Sequence, residues 1–299
     1  MKFYRSIEEY NSLIGIDAPR LAGCDVRSFR ENMPCVNMQQ EAFRHNLFAI
    51  AWLVKGTNRE VMGAPLESNV FFNAPYQIVT WDIDSDWDGY YAVFDEAFAR
   101  EHLYVLTPTR EWPFFRDASN APLDLPAEQT AWFALTFERL HAEAIAGPPG
   151  TGDCNVCGAF LHALLDVAAV HYEEGDPATE PTPKLARSSS KAQLVNRLHD
   201  EALLDLVEGR GRRSASDYAD VFAMSTGHLN DVVREVTGQS TSELLAGIAL
   251  AEAKRLLRRT DLRISEIADQ LGYSAPTHFN AFFRKAEGVS ATAWRKTLT

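Results

Sequence analysis

The last third of the chain repeats itself. Ala219-Asp-Val-Phe-Ala-Met-Ser225 and Ala268-Asp-Gln-Leu-Gly-Tyr-Ser274 share an opening Ala-Asp and a closing Ser. Leu229, Val232 and Val233 follow in the first copy, Phe279, Phe282 and Phe283 in the second. The copies close on Gly238-Gln-Ser240 and Gly288-Val-Ser290. The offset is 49 residues at the start and 50 at the end, so the second copy holds one extra residue. Each copy has the physics of a helix–turn–helix. Ala219 and Ala268 let two helices cross closely. Gly272 allows the left-handed turn that a side chain resists. Ser225 and Ser274 are expected N-caps for the next helix, and Pro276 suits its first turn. Apolar residues at i, i+3 and i+4 pin the second helix to the first and leave its other face free.

The spacing between the copies is also informative. A helix over 241–259, at about 1.5 Å per residue, spans close to 30 Å, and successive major-groove faces of a duplex lie roughly 34 Å apart. A rigid spacer of that length can hold two second helices in adjacent grooves. The whole chain is acidic, with a formal charge of −12 over 299 residues, which excludes a uniformly basic nucleic-acid coat. The acidity is uneven. Residues 1–190 carry 14 Lys/Arg against 27 Asp/Glu, and residues 254–296 carry 9 against 4. The positive cluster is Lys254, Arg255, Arg258, Arg259, Arg263, Arg284, Lys285, Arg295 and Lys296. The bland alternative for this part is a helical bundle with duplicated hairpins for protein contacts.

Domain organisation follows from composition. Apolar residues make up 46% of the chain, enough for a sizeable core. Residues 174–191 contain three prolines and three consecutive serines with little apolar content, and are read as a flexible linker. Before it, Phe43–Val54, Val70–Phe72, Gln77–Trp81 and Tyr90–Phe94 are β-prone runs at the spacing of a small barrel or sandwich. Two amphipathic helices are expected over 126–146, through Trp132, Leu135, Phe137 and Leu140, and over 154–172, to cover the barrel or form a dimer seam. After the linker, helices are expected over 192–208, 215–222, 226–236, 241–259, 264–271 and 276–286.

Several motifs imitate chemistry. Gly147–Gly152 has the spacing of a phosphate-binding loop, but Asp153 and Cys154 stand where Lys and Ser/Thr are needed. Asp84 to Asp95 copies a calcium-loop spacing within β-prone flanks, and a solvated hairpin turn is the favoured reading. Cys154 and Cys157 form a single C-x-x-C, read as helix-start cysteines with a redox sensor as the alternative. The histidines show no H-x-H or H-E-x-x-H spacing, and no Gly-x-Ser-x-Gly occurs. No catalytic residue, metal or cofactor is therefore expected. Four cysteines suit a reducing cytoplasm. A charged N-terminus and a longest apolar run of only Leu47–Val54 predict neither signal peptide nor membrane span.

The run Ala253-Lys-Arg-Leu-Leu-Arg-Arg-Thr-Asp-Leu-Arg-Ile-Ser-Glu-Ile-Ala-Asp-Gln-Leu-Gly-Tyr-Ser274, with His278-Phe279, Phe283-Arg-Lys285 and Gly288-Val-Ser290, resembles the AraC/XylS family of transcription regulators. The resemblance covers about 194–297. More loosely, Asn73-Ala-Pro-Tyr-Gln77 and Gly89–Asp95 resemble that family's sensing arm. It implies a multidomain α+β protein. Residues 1–173 would be a cupin-like β-barrel with flanking helices, for sensing or dimerisation. Residues 192–299 would be an all-α domain with two helix–turn–helix motifs, at about 214–236 and 264–287. It implies base-reading roles for Pro276, Thr277, Asn280 and Ala281, and phosphate contacts for Arg284 and Lys285. In the first motif the corresponding residues are Thr226, Gly227, Asn230 and Arg234. Asp231 and Glu235 on that helix oppose a phosphate backbone, and Ala223 replaces the turn glycine, so the second motif is expected to dominate specificity.

The implied partners are a double-stranded DNA operator, a second copy of the chain and a small-molecule effector, in the cytoplasm and with no membrane. The effector would meet the barrel aromatics Trp52, Phe72, Trp81, Tyr90 and Phe94, for which plain core is the alternative. The rival function classes are a cupin-fold enzyme and a protein-interaction module, each with an accessory helical domain.

Overall fold

A computed structural model describes residues 1–32, 39–54, 68–82, 88–117, 122–148, 150–174 and 183–298. The chain divides into two compact units, Met1–Gln193 and Leu194–Thr299.

The first unit runs β1 (Lys2–Tyr4), α1 (Ile7–Ile14), β2 (Cys24–Ser28), α2 (Phe29–Asn32), β3 (Gln39–His45), β4 (Phe48–Val54), β5 (Ser68–Asn73), β6 (Ile78–Asp82) and β7 (Asp88–Phe94). Then come α3 (Glu96–His102), α4 (Pro108–Glu111), α5 (Pro113–Asp117), β8 (Leu123–Asp124), α6 (Ala127–Ala144) and α7 (Cys154–Glu174). Among the described residues the strands form two sheets, not one closed barrel. One has the order β1-β3-β6, the other β2-β7-β4-β5-β8. The single β-prone run over 43–54 breaks at Asn46-Leu47, and its halves join different sheets.

The five-stranded sheet is buried on both faces, which is why β4 reads as an unbroken apolar run. Ile50 lies opposite Phe72 of β5 and Ala92 of β7. Phe48, Ile50, Trp52 and Val54 face one apolar cluster together with Phe133, Phe137 and Leu140 of α6 and Leu161, Leu164 and Leu165 of α7. Ala49, Tyr91 and Val93 face the opposite way, onto Ile7 of α1 and Phe29 of α2. The buried stripe of α6 is Thr130, Phe133, Phe137, Leu140 and Ala144. Trp132 and Leu135 lie off that stripe, and Leu135 is 65% exposed. The expected face was thus rotated, because Phe133 rather than Trp132 starts the helical period.

Over Cys154–Tyr172, α7 is long and apolar enough to cross a membrane by length and composition. Its buried stripe packs into the sheet cluster, as a core helix does. Cys35, Asp84–Trp87, Pro149 and residues 175–182 lie outside the described residues, and with them part of the calcium-like loop, the phosphate-loop imitation and the linker. From Pro183 the chain is helical, in α8 (Pro183–Val207), so helix occupies the end of the segment read as linker.

The second unit is all helix after α8: α9 (Ala215–Val221), α10 (Thr226–Thr237), α11 (Thr241–Arg259), α12 (Ile264–Gln270), α13 (Pro276–Glu287) and α14 (Ala291–Lys296).

Candidate nucleic-acid interface

Two helix pairs, α9–α10 and α12–α13, come from the two sequence copies, with α11 between them. Ala219 and Ala268 are buried where each pair crosses. Leu229, Val232 and Val233 hold α10 inward, and Phe279 and Phe283 do the same for α13. Phe282 is half-buried instead. Its ring packs on Tyr273, and the Arg212 guanidinium lies over both rings, 4.9 Å from Tyr273 and 5.4 Å from Phe282. Burial pushes the Tyr273 phenol up to about 12.

The two turns solve one backbone problem differently. Gly272 has φ +76, and a Cβ there would come within 2.7 Å of Arg212 N and of Gly211 Cα. Only glycine fits both the conformation and the space. Ala223, its counterpart, adopts φ +53 with a side chain present, a strained arrangement of order 1 kcal/mol. The caps also differ. Ser225 accepts from His228 N at 3.2 Å, as expected. Ser274 does not cap α13. The residue added to the second copy places Ala275 at the N-cap and Pro276 at the first helical position, and the Ser274 hydroxyl lies 3.0 Å from His278 Nδ1.

The solvent faces of α10 and α13 carry most of the expected contact residues. Thr226, Gly227 and Arg234 are exposed on α10, with Asp231 and Glu235 on the same face. Pro276, Thr277, Ala281, Arg284 and Lys285 are exposed on α13, and Asn280 is half-buried at its edge. Asn230 is turned inward. Its Oδ1 accepts from Thr241 N at 3.1 Å and caps the start of α11. The α13 face is therefore neutral to basic, whereas the α10 face sets one arginine between two carboxylates.

The basic cluster is smaller in space than in sequence. Arg255 pairs with buried Glu252 at 2.9 Å. Lys254 pairs with Glu287 at 2.7 Å and lies over the Trp294 ring. Arg295 donates to the carbonyls of Leu257 and Leu262, tying α14 to the end of α11. These three stabilise the domain. Arg284 and Lys285 project from α13 near its C-terminus.

Sequence reasoning missed a second structural group. Buried Asp205 accepts from Tyr218 Oη at 2.8 Å and meets Arg210 Nε at 2.5 Å and Arg213 Nε at 3.1 Å, joining α8 to α9. The run Arg210-Gly-Arg-Arg213 was the available signal. His228 and His278, exposed at the third residue of each second helix, were also missed as a matched pair.

The N-terminal aromatics divide. Phe72 stacks on Phe114 at 3.8 Å between centroids, and Phe94 on Phe48 at 5.4 Å, as packed core. Trp52 stacks on Tyr90 at 6.4 Å, and the buried Trp52 Nε1 has no acceptor among the described residues. Trp81 stands apart in the other sheet, edge-on to Phe43. Trp52, Phe72, Tyr90 and Phe94 belong to one buried cluster, and Trp81 lies outside it.

Comparison with known proteins bears on the C-terminal part. A family profile described as a helix–turn–helix domain matches residues 218–297. The chain is 32% identical over 120 residues, 38% of its length, to the HTH-type transcriptional activator RhaR of Yersinia pestis, and spans 41% of that relative. RhaR of Cronobacter sakazakii is 34% identical over 68 residues, covering 23% of this chain and 24% of that one. Among solved structures, the C-terminal domain of AraT, a response regulator from Geobacillus stearothermophilus, aligns with 29% identity and a TM-score of 0.32, over 35% of this chain and 84% of that one. ToxT from Vibrio cholerae aligns over 93% of this chain and 100% of that one, with 11% identity and a TM-score of 0.35. The paired motifs, their spacer helix and the matched profile agree, and residues 218–297 of this chain are a helix–turn–helix domain, similar in sequence to that of the HTH-type activator RhaR.

Proposed function

We propose that the protein is a sequence-specific, double-stranded-DNA-binding transcription regulator, cytoplasmic and working as a homodimer. The observation that carries this reading is the solvent face of α13, where Thr277, Ala281, Arg284 and Lys285 line up with Asn280 at the edge. A helix of this kind enters a major groove with its first residues at base edges. In that pose Asn280 reads an adenine, Thr277 a base edge or thymine methyl, and Pro276 and Ala281 pack on the groove floor. Arg284 and Lys285 bind phosphate and fix the register.

The first motif contributes position more than readout. Thr226 and Gly227 approach the duplex, Arg234 meets phosphate, and Asn230 holds α11 in place. Asp231 and Glu235 weaken its contacts, so α13 sets the sequence preference. The first unit is a cupin-like sensing and dimerisation domain in this reading. The Trp52–Tyr90 stack, with its orphaned indole N–H, is where a small effector would be met.

Two variants of the full-length protein test the assignment against a selected site and random duplex. Asn280→Ala is expected to lose about 1–3 kcal/mol on the selected site only, relaxing one base position. Arg284→Ala is expected to weaken both duplexes alike and flatten the salt slope by about one unit. Equal losses on both duplexes for Asn280→Ala would refute its role.

A further inference from the structure

Three thiols converge at one corner of the first unit. Cys154 opens α7 and Cys157 follows one turn later. Cys24 opens β2. Cys24 and Cys157 are buried in the same apolar cluster, and half-buried Cys154 packs against its edge. All three are free. Among the described residues no group of three or more His, Cys, Asp or Glu side chains is placed to hold a metal ion. The thiols must be considered for their own chemistry.

Residues three apart on a helix have Cβ atoms about 5–6 Å apart. A disulfide draws its Cβ atoms to roughly 3.5–4.5 Å, so closing the pair needs a shift of about 1–2 Å in the first turn of α7, the end of a helix where such a shift is easiest. The turn that carries the pair is otherwise held. Asp153 accepts from Asn155 N at 2.9 Å and Val156 N at 3.2 Å. Asn155 Oδ1 lies 3.0 Å from His102 Nδ1. Gly158 sits so close to α3 that a Cβ would come within 2.5 Å of the His102 carbonyl. The two thiols also differ in access. Cys154 is partly open to solvent, and Cys157 is fully buried. Burial, with Cys154, Glu143 and Asp153 nearby, pushes the Cys157 thiol up to about 12. A small disulfide therefore meets Cys154 first, and Cys157, shielded and protonated, is not open to direct attack from solvent.

We propose that Cys154 and Cys157 are a reversible dithiol–disulfide modification site that reacts with low-molecular-weight disulfides. Cys154 gives its proton to solvent, and its thiolate attacks one sulfur of the incoming disulfide. That S–S bond breaks, and one small thiolate leaves and takes up a proton. Cys157 then loses its proton, its sulfur attacks the Cys154 sulfur, and the second small thiol departs with that proton. Two protein thiols are oxidised by two electrons, and one small disulfide is reduced to two thiols.

The experiment treats the full-length reduced protein with glutathione disulfide, quenches in acid, alkylates under denaturing conditions and maps tryptic peptides. Residues 140–184 form one tryptic peptide that holds Cys154 and Cys157 and no other cysteine. It is expected to lose two hydrogens and to resist alkylation, with Cys24 alkylated in full and dithiothreitol restoring both labels. Cys157→Ser is expected to trap one glutathionyl group on Cys154, and Cys154→Ser to leave Cys157 unmodified. Full alkylation of the peptide after oxidation, a crosslink from it to the Cys24 peptide, or a crosslink between two chains would each overturn the proposal.

Discussion

At the scale of single residues, the two turn positions set the sharpest expectations. Gly272→Ala must place a methyl group 2.7 Å from two backbone atoms at a positive φ. It should cost about 2–4 kcal/mol, read as a lower denaturation midpoint. Ala223→Gly should go the other way. Relief of left-handed strain slightly exceeds the added entropy of the unfolded chain, for a gain of up to about 1 kcal/mol. The turn at 272 was legible in the sequence because glycine signals it. The turn at 223 was legible only through the repeat. Ser274 was misread because one inserted residue moves the cap without changing the motif's appearance.

His45 is a residue-scale test of acid sensitivity. Burial holds its imidazole down, at about 4 against an ordinary 6.5, and its Nδ1 accepts from Leu47 N. Folding therefore favours the neutral ring. That stability is complete above pH 6.5 and is lost as the pH falls toward 4, with a total of about 3 kcal/mol. Urea titrations between pH 7 and pH 5 should show a falling stability that His45→Gln flattens. An unchanged slope in the variant would assign the acid sensitivity to other groups.

At the scale of elements, local and non-local features separate cleanly. The helices of the second unit were readable because caps, apolar periods and turn residues all lie within a few positions of one another. Strand partners were not. Nothing near His45 indicates that β3 pairs in parallel with β1 while β4, two residues on, joins another sheet. The face of α6 was misjudged for a related reason, since Trp132, Phe133, Leu135 and Phe137 allow two overlapping helical stripes and only packing chooses. The join of α8 to α9 gives an element-scale prediction. Asp205→Ala removes the acceptor shared by Tyr218, Arg210 and Arg213. It leaves the buried Tyr218 hydroxyl without its acceptor and should destabilise the helical unit by about 1–3 kcal/mol, detected as earlier loss of helical signal on heating. Asp205→Asn, which keeps one acceptor, should lose less.

For the molecule as a whole, charge was the most useful sequence quantity, and the one most altered by folding. The positive residues counted over 254–296 looked like a single surface, yet Lys254, Arg255 and Arg295 are committed to carboxylates, a ring or carbonyl oxygens. Under the proposed DNA-binding reading few phosphate contacts per copy then remain, and a homodimer would add to them through effective concentration. The account predicts a DNA affinity that falls steeply with chain concentration below the dimerisation range, read by fluorescence anisotropy across protein dilutions. Selection of binding sites from a random duplex pool by the full-length protein, at low ionic strength, puts the whole reading at risk. It should enrich a site with elements about one helical turn apart, and Asn280→Ala should blur one position within it. A pool that stays random although the protein is folded would contradict the account.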